Sequence, residues 1–579
     1  MSFITPYLFV TGFYSLTLFF QEKSKINYNN LLFSIMSFLL LVGLLFPIIY
    51  LTEHTQYIIY SLFFLSMLAL LRFIYYNHTI IQQDIIKNKW LLIGYFFFSF
   101  LTLIPINGAD SYAYHLAWPK SLIDNSTLFF DKSFMEFGVV GLGEIVNYIS
   151  LSIGSENLQS FLVFTVLIFY LFKEKKLNRL IYFLATPIFV KFIFDQKPFL
   201  LPAIFLVIFL NEFINKFETK NINKLDYLGI LLAISFFANN KYPFIIIALV
   251  ISLYLFFICR NLKNYNSFFL LAILVFIFNY LPVPLIKFLE FSDPFHPFLN
   301  GFFNNYNTDV EHLKSMYTSW DGFLAKEFSP TLKLLRNIFN FVIPTSPFSF
   351  LDVFGISAVL IFIARFKSSI KRNVLILCFI TTAVLVGYTN FQSRWFMFAF
   401  LFIAICHDHL ILKKNIKNIF DYMSFAISAM VVSLFLLFFF LVSTATYNKN
   451  FEEAKNKFIY LYKDIKEIEQ VSKDSLILSN TRVKFHSKNL VGYKYKNYSN
   501  KVLVNNYDEI KFGFFSIGSD KSYTNKFLKN ETILSDFKTD CYMILKVFRS
   551  KVAKRNFFSS KEYESFVFIK FIKPYRECI

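Results

Sequence analysis

The sequence predicts an all-α polytopic membrane protein of about eleven to fourteen transmembrane helices, followed by a small extracytoplasmic α/β domain. Three observations carry that prediction. Of 579 residues, 56% are hydrophobic and only 17% charged, with a mean hydropathy of +0.50, too apolar for a soluble chain of this length. Apolar runs long enough to cross about 30 Å of hydrocarbon recur as far as residue 446. The short connections between these runs alternate between basic and weakly charged.

Four spans come first, at 4–20, 31–51, 57–75 and 89–106. The first lacks a basic leader and a small-residue cleavage site, so it reads as a retained helix rather than a signal peptide. Ten more follow at 158–173, 179–194, 198–213, 226–238, 242–258, 266–286, 350–365, 373–388, 395–412 and 420–446. The chain divides into N-terminal additional helices (1–88), a transmembrane core (89–446) with large loops at 107–157 and 287–349, and a tail (447–579).

The loops orient the spans. "QEKSKINYNN", "KNKW", "KEKKLNR", "NKFETKNINK", "RNLKNYN", "RFKSSIKR" and "KKNIKN" are basic and fall on one side of the count, whereas "TEHTQ", "FDQKP", "NNK" and "TNFQSR" fall on the other. The positive-inside rule places the first set in the cytoplasm, so the two large loops and the tail are outside. The net charge of +20 is by itself no reason to expect nucleic acid as a partner, because Lys and Arg of a membrane protein gather in cytoplasmic loops and a long outer segment such as the tail translocates largely regardless of charge. Five Cys include no C-x-x-C pair, so there is no metal or redox signature; Cys541 and Cys578 share the tail, where a disulfide is open.

The loop 107–157 suits two interfacial helices, "SYAYHLAWPKSLID" and "EFGVVGLGEIVNYISLSIG", the second apolar enough to lie on or dip into the membrane although it carries Glu136 and Glu144. The Pro- and aromatic-rich "SDPFHPFLNGFF" suits a loop at headgroup level. The tail mixes a charged helical opening with short strand-like runs such as "SLILS" and "KVLVN", and holds 26 Lys and Arg against 15 Asp and Glu, a net +11.

Polar residues gather where the spans reach the outer side. Asp110, in "NGADS", is by position an ordinary turn carboxylate. His115 and Lys120 follow it by five and ten positions, as in an interfacial helix. Lys197, Lys241 and Arg394 fall at outer span ends, where single cations usually snorkel to headgroups. Together, a carboxylate with cationic neighbours at the interface suits chemistry between a lipid-phosphate donor and a water-borne acceptor, with a base for the acceptor's proton and cations for the departing phosphate. "HDH" at 407–409 is not a metal site, because i and i+2 diverge on a helix.

The segments "ADSYAYHLAWPKSLID", "GLGEIVNYISLSIGSENLQ", "DQKPFLLPAIFL", "NNKYPFIIIAL", "DPFHPFLNGFF" and "QSRWFMFAFLF", in that order, resemble the GT-C superfamily of polyprenyl-phosphate-sugar-dependent membrane glycosyltransferases. The likeness is to the branch of protein mannosyltransferases and the lipid A aminoarabinose transferase, over residues 89–412. It implies a GT-C-like core of eleven spans in a bacterial inner membrane, with the active site on the extracytoplasmic face. It implies Asp110 as the catalytic acidic residue, and Lys241 and Arg394 as contacts to the lipid phosphate. Added to the residue reading, His115 orients Asp110 or the acceptor, Lys197 is a further phosphate candidate and Glu144 a second carboxylate. The implied partners are a polyprenyl-phosphate-sugar donor, a glycan, lipid or protein acceptor, and membrane lipids. No metal ligands are assigned, although a divalent metal stays open. Where many relatives have two adjacent acids, this chain has Asp110-Ser111; where relatives have an acid after the Lys-Pro pair, it has Phe199, with Asp195 before the pair. A lipid-linked glycan polymerase or ligase is the nearest rival, and a transporter or flippase of lipid-linked sugars is the rival of another class. Against the transporter stand the lack of mid-span charges and of paired broken helices.

The alternation makes one topological prediction. A reporter fused after Ile579 is active only if it is of the kind that needs export; activity of a cytoplasmic reporter there would overturn the orientation.

Overall fold

The computed structural model describes residues 4–102, 115–125, 140–295, 353–447, 462–479, 490–492, 510–519, 537–551 and 563–578, apart from interruptions of at most four residues within these ranges. Asp110, the loop 296–352, the "HDH" triplet and the run "KVLVN" lie outside the described residues, as does most of the predicted span 350–365. The chain is mostly helical, with a small sheet near its C-terminus. Among the described residues, four helices are long and apolar enough to cross a membrane: Asn30–Leu51, Thr55–Thr79, Leu200–Glu218 and Tyr265–Phe291. Leu158–Lys173 and Pro243–Cys259 are shorter apolar helices.

Local chemistry sets the ends of these helices. Asn29 caps Asn30–Leu51 by accepting from the N–H groups of Leu31 and Leu32. Asn223 and Asp226 form a reciprocal capping box at the start of Lys224–Ala238. Pro243 opens Tyr242–Cys259, where its missing N–H costs nothing. Pro187 does the opposite inside the predicted span 179–194. It splits that span into Arg179–Leu184 and Pro187–Phe194, because a proline cannot donate to the preceding turn. A second correction concerns "EFGVVGLGEIVNYISLSIG". Its helical part, Leu142–Ser152, is buried by protein at every position but Leu151 instead of lying on a membrane surface.

Loops that the charge pattern assigned to one side meet at one end of the helices. In the C-terminal half of Leu200–Glu218, Asn211 is the hub. Its amide donates to the Tyr170 hydroxyl at 2.7 Å, while its carbonyl oxygen accepts from Lys371 Nζ at 2.8 Å and Cys406 Sγ at 3.3 Å. Asn215 gives the buried Lys371 ammonium a second acceptor at 2.8 Å. Tyr28 donates to Asp226 at 3.0 Å, Asp226 also takes Lys216 at 2.6 Å, and Arg179 donates to the carbonyl of Ile405. Tyr28, Arg179, Asp226 and Lys371 come from or adjoin four different basic loops. The "FDQKP" and "NNK" loops sit at the other end of this helix, which its nineteen residues place about 27 Å away.

The tail forms a five-stranded mixed sheet. After a two-stranded pair, β1 (Arg365–Phe366) with β2 (Leu410–Ile411), come β3 (Leu476–Ser479), β4 (Leu490–Gly492), β5 (Ile510–Ser519), β6 (Tyr542–Lys551) and β7 (Tyr563–Phe571), in the spatial order β4-β3-β5-β7-β6. β3 runs parallel to β4 and β5, and β7 is antiparallel to both its neighbours. Ile465 and Ile468 of the helix Tyr462–Ser472 cover one face against Phe512, Phe514, Phe566 and Phe568. The expected α/β character is therefore observed, with "SLILS" as its first strand. Cys541 and Cys578 are buried there as free thiols.

Asn211→Leu removes three hydrogen bonds from the hub and one acceptor from Lys371. The purified protein should lose about 1–3 kcal/mol of stability, read as an earlier thermal unfolding midpoint in detergent; an unchanged midpoint would mean the hub is not stabilising.

Candidate functional site

The site begins with the three residues Gly141-Leu142-Gly143 that precede Glu144. A Cβ on Gly141 would lie 1.9 Å from the carbonyl oxygen of Asn239, and one on Gly143 would lie 2.1 Å from Cβ of Pro198. Only glycine lets the start of Leu142–Ser152 come this close to the "FDQKP" and "NNK" loops. The Leu142 N–H donates to the Asn239 carbonyl at 3.1 Å, fixing the approach. Glu144 then sits in the first turn of its helix, where one carboxylate oxygen accepts from the Gly141 N–H at 2.6 Å.

The other oxygen, Oε1, carries the site. It accepts from His115 Nδ1 at 2.6 Å and from Lys241 Nζ at 3.3 Å. One turn further along, Asn147 Nδ2 donates to the His115 carbonyl at 2.9 Å. A single helix thus holds His115 by its ring and by its backbone. Lys241 is the residue before Tyr242–Cys259, and its ammonium also lies 5.9 Å from the Phe199 ring centroid. Phe199 forms the apolar wall, with His115 at 6.4 Å, Trp395 at 5.5 Å and Phe244 at 6.1 Å between ring centroids.

Burial and charge set the protonation states. Burial and the neighbouring Lys241 ammonium push the His115 imidazole down to about 4, against the opposing pull of Glu144. Burial alone would raise Glu144, but Lys241, the His115 N–H and the Gly141 N–H together outweigh it and hold the carboxyl down at about 2. At neutral pH the site therefore contains a neutral imidazole, whose Nδ1–H points at a carboxylate bridged to an ammonium. That contact fixes the imidazole's tautomer.

Four of the sequence-predicted residues meet here: His115, Glu144, Lys241 and Lys197. Lys197 is buried (6% exposed), and its charge helps to disfavour protonation of His115. Neither Lys197 nor Lys241 (5% exposed) snorkels toward headgroups, the ordinary fate of a cation at a span end. Arg394 lies in the 3-10 turn Ser393–Phe396, directly before Trp395 of the aromatic wall. Asp110 lies outside the described residues, five positions before His115 in the chain. Sequence reasoning missed Asn147, the aromatic wall and Lys287. Lys287 is half-buried near the end of Pro282–Phe291, within electrostatic reach of Lys241, Glu144 and Asp293. The doubled glycine before Glu144 was the available signal for the close packing; nothing in the spacing pointed to Lys287. Among the described residues, no group of three or more His, Cys, Asp or Glu side chains is placed to hold a metal ion.

No protein-family model, no curated protein and no solved structure matches this chain. What the site does is therefore read from its chemistry.

Two outcomes follow from this geometry. Gly143→Ala drives a methyl group into Pro198 and Asn240, and should lower stability by about 1–3 kcal/mol, seen as a lower unfolding midpoint. Acid should also weaken the fold in a defined window. The His115 imidazole titrates near 6.5 in the unfolded chain but only near 4 when folded, so stability is lost as pH falls through that interval. Glu144 adds a further loss as pH falls from about 4.5 toward 2. In His115→Asn the decline between pH 6.5 and 4 should shrink; an identical decline would remove His115 as its source.

Proposed function

We propose that this protein is an integral membrane glycosyltransferase that moves a sugar from a polyprenyl-phosphate carrier to a glycan, lipid or protein acceptor on the extracytoplasmic face. The observation that carries the reading is convergence. His115, Glu144, Lys197 and Lys241 lie on four separate segments of the chain, and they share one buried site at the ends of apolar helices. The order of the GT-C-like segments, the alternating loop charges and the four helices long enough to span a bilayer support the same reading. In this reading the membrane is a bacterial inner membrane, the core is GT-C-like with its eleven or more spans, and the tail is the extracytoplasmic domain.

The chemistry is a displacement at the anomeric carbon. A base takes the proton of the acceptor's hydroxyl or amine as that atom bonds to the sugar, and the bond from the sugar to the carrier's phosphate oxygen breaks. Asp110 is assigned as the base. The His115 imidazole, oriented by Glu144, lines the same site and positions Asp110 or the acceptor. The leaving polyprenyl phosphate carries its charge away against Lys241, Lys197 and Arg394. A guanidinium grips two phosphate oxygens at once, which makes Arg394 the specific contact and the lysines the field around it.

The test is mass-spectrometric product analysis of glycolipids from membranes with equal amounts of wild type, Asp110→Asn, Glu144→Gln and Arg394→Lys. Asparagine keeps the size of Asp110 but cannot take a proton at neutral pH, so transfer should fall by about 10² to 10⁴. Glu144→Gln should cost at least tenfold through loss of the ammonium and imidazole contacts. Arg394→Lys should weaken donor use although charge is kept. Transfer within a few-fold of wild type in Asp110→Asn would remove the assigned base. Movement of lipid-linked sugar across the membrane without bond formation would replace the enzyme by a transporter.

A further inference from the structure

The rod Tyr265–Phe291 is helical throughout but contains one π turn, Phe276–Tyr280. A π turn inserts one residue, loosens the backbone ladder and recurs at functional sites. Here its loosened carbonyls have a defined partner. Asn239 Nδ2 donates to the carbonyl oxygens of Asn279 and Tyr280, at 3.2 and 3.0 Å. The Asn279 side chain, 1% exposed, is itself clamped: its Oδ1 accepts from Ser235 Oγ at 2.8 Å, and its Nδ2 donates to the Leu39 carbonyl at 3.3 Å. Gly43 makes room for it, since a Cβ there would fall 1.7 Å from Asn279 Nδ2.

The far end of this arrangement is the site. Asn239 is the residue whose carbonyl takes the Leu142 N–H and lies against Gly141, and Lys241 follows it by two positions. A contact in the middle of one apolar rod therefore continues, through one asparagine, to the loop that carries the ammonium facing Glu144. The helix Asn30–Leu51, placed by the sequence among N-terminal additions, supplies Leu39 and Gly43 to the clamp.

We propose that the π turn at Asn279 is a positioning element. Through Asn239 it holds the Asn239–Lys241 loop against Gly141, and so sets the distance between the Lys241 ammonium and the Glu144 carboxylate. Asn239 and Asn279 act through Lys241; neither needs to touch a substrate. The proposal rests on the reading of the Glu144 site as catalytic.

Two variants test it from opposite sides. Asn239→Ala cuts the relay, whereas Gly43→Ala displaces Asn279 from a helix that contributes none of the site residues. Sugar transfer is followed in membranes, with the lipid-linked sugar fraction extracted from the host as donor, and is normalised to the monodisperse fraction in detergent. In both variants turnover should fall about tenfold or more, while KM for the donor stays within about threefold. The acid limb of the turnover profile should move up by about one pH unit, because the His115 imidazole, and Glu144 below it, then feel less of Lys241. The other charged or titratable groups in play are His115 on Glu144, Lys197 on His115 and, at longer range, Lys287. Less folded protein with wild-type turnover and acid limb per folded molecule would make the π turn a packing feature and overturn the proposal. Glu144→Gln is run in parallel. If it transfers sugar at the wild-type rate, the catalytic reading falls first, whatever Asn239→Ala does.

Discussion

One contact organises the polar end of this molecule: the carboxylate of Glu144 bridging the ammonium of Lys241 and the ring of His115. Each of the three would be costly alone in a fully enclosed setting. An unpaired buried carboxylate or ammonium carries a desolvation penalty of several kcal/mol, which a partner offsets only when the geometry is good and the remaining hydrogen-bonding positions are filled. The surroundings supply several such contacts. Gly141 fills the second carboxylate oxygen, the Phe199 ring faces the ammonium, and Asn147 holds the backbone behind the imidazole.

The same logic explains why both ends of Leu200–Glu218 are polar while its middle is not. Phe205, Leu206, Val207 and Ile208 are enclosed by other apolar side chains. Asn211 in its C-terminal half and the Phe199 turn at its start collect groups from sequence-distant loops. The two polar collars lie about 18 Å apart along the helix axis, with an apolar layer between them. The lower collar is built of amides and an ammonium that satisfy one another, whereas the upper one holds an imidazole, a carboxylate and several lysines. That chemical difference between the two ends separates a structural clamp from a candidate site.

Much of this was legible in the chain. Residues that break the apolar pattern, Glu144 in the first large loop and Lys197 and Lys241 at span ends, could be picked out as a set, although each cation alone is ordinary at a span end. The alternation of basic loops foretold which segments would meet at one end, and Tyr28, Asp226 and Lys371 do so. What could not be read were features fixed by contact across the fold. The enclosure of Leu142–Ser152 depends on neighbours that sequence periodicity does not reveal, whereas the break at Pro187 had a local signal in the proline itself. Lys287 looked like an ordinary span end because its relation to Lys241 exists only in three dimensions, and Asn279 looked like one polar residue in an apolar run.

The five cysteines carry a practical consequence. Cys259, Cys378, Cys406, Cys541 and Cys578 are all buried and unbridged. A maleimide too polar to enter the protein interior would find none of them in the folded molecule. A thiol introduced into any water-facing loop would then report from an almost silent background, and its labelling from one side of a sealed vesicle would show directly which compartment that loop occupies.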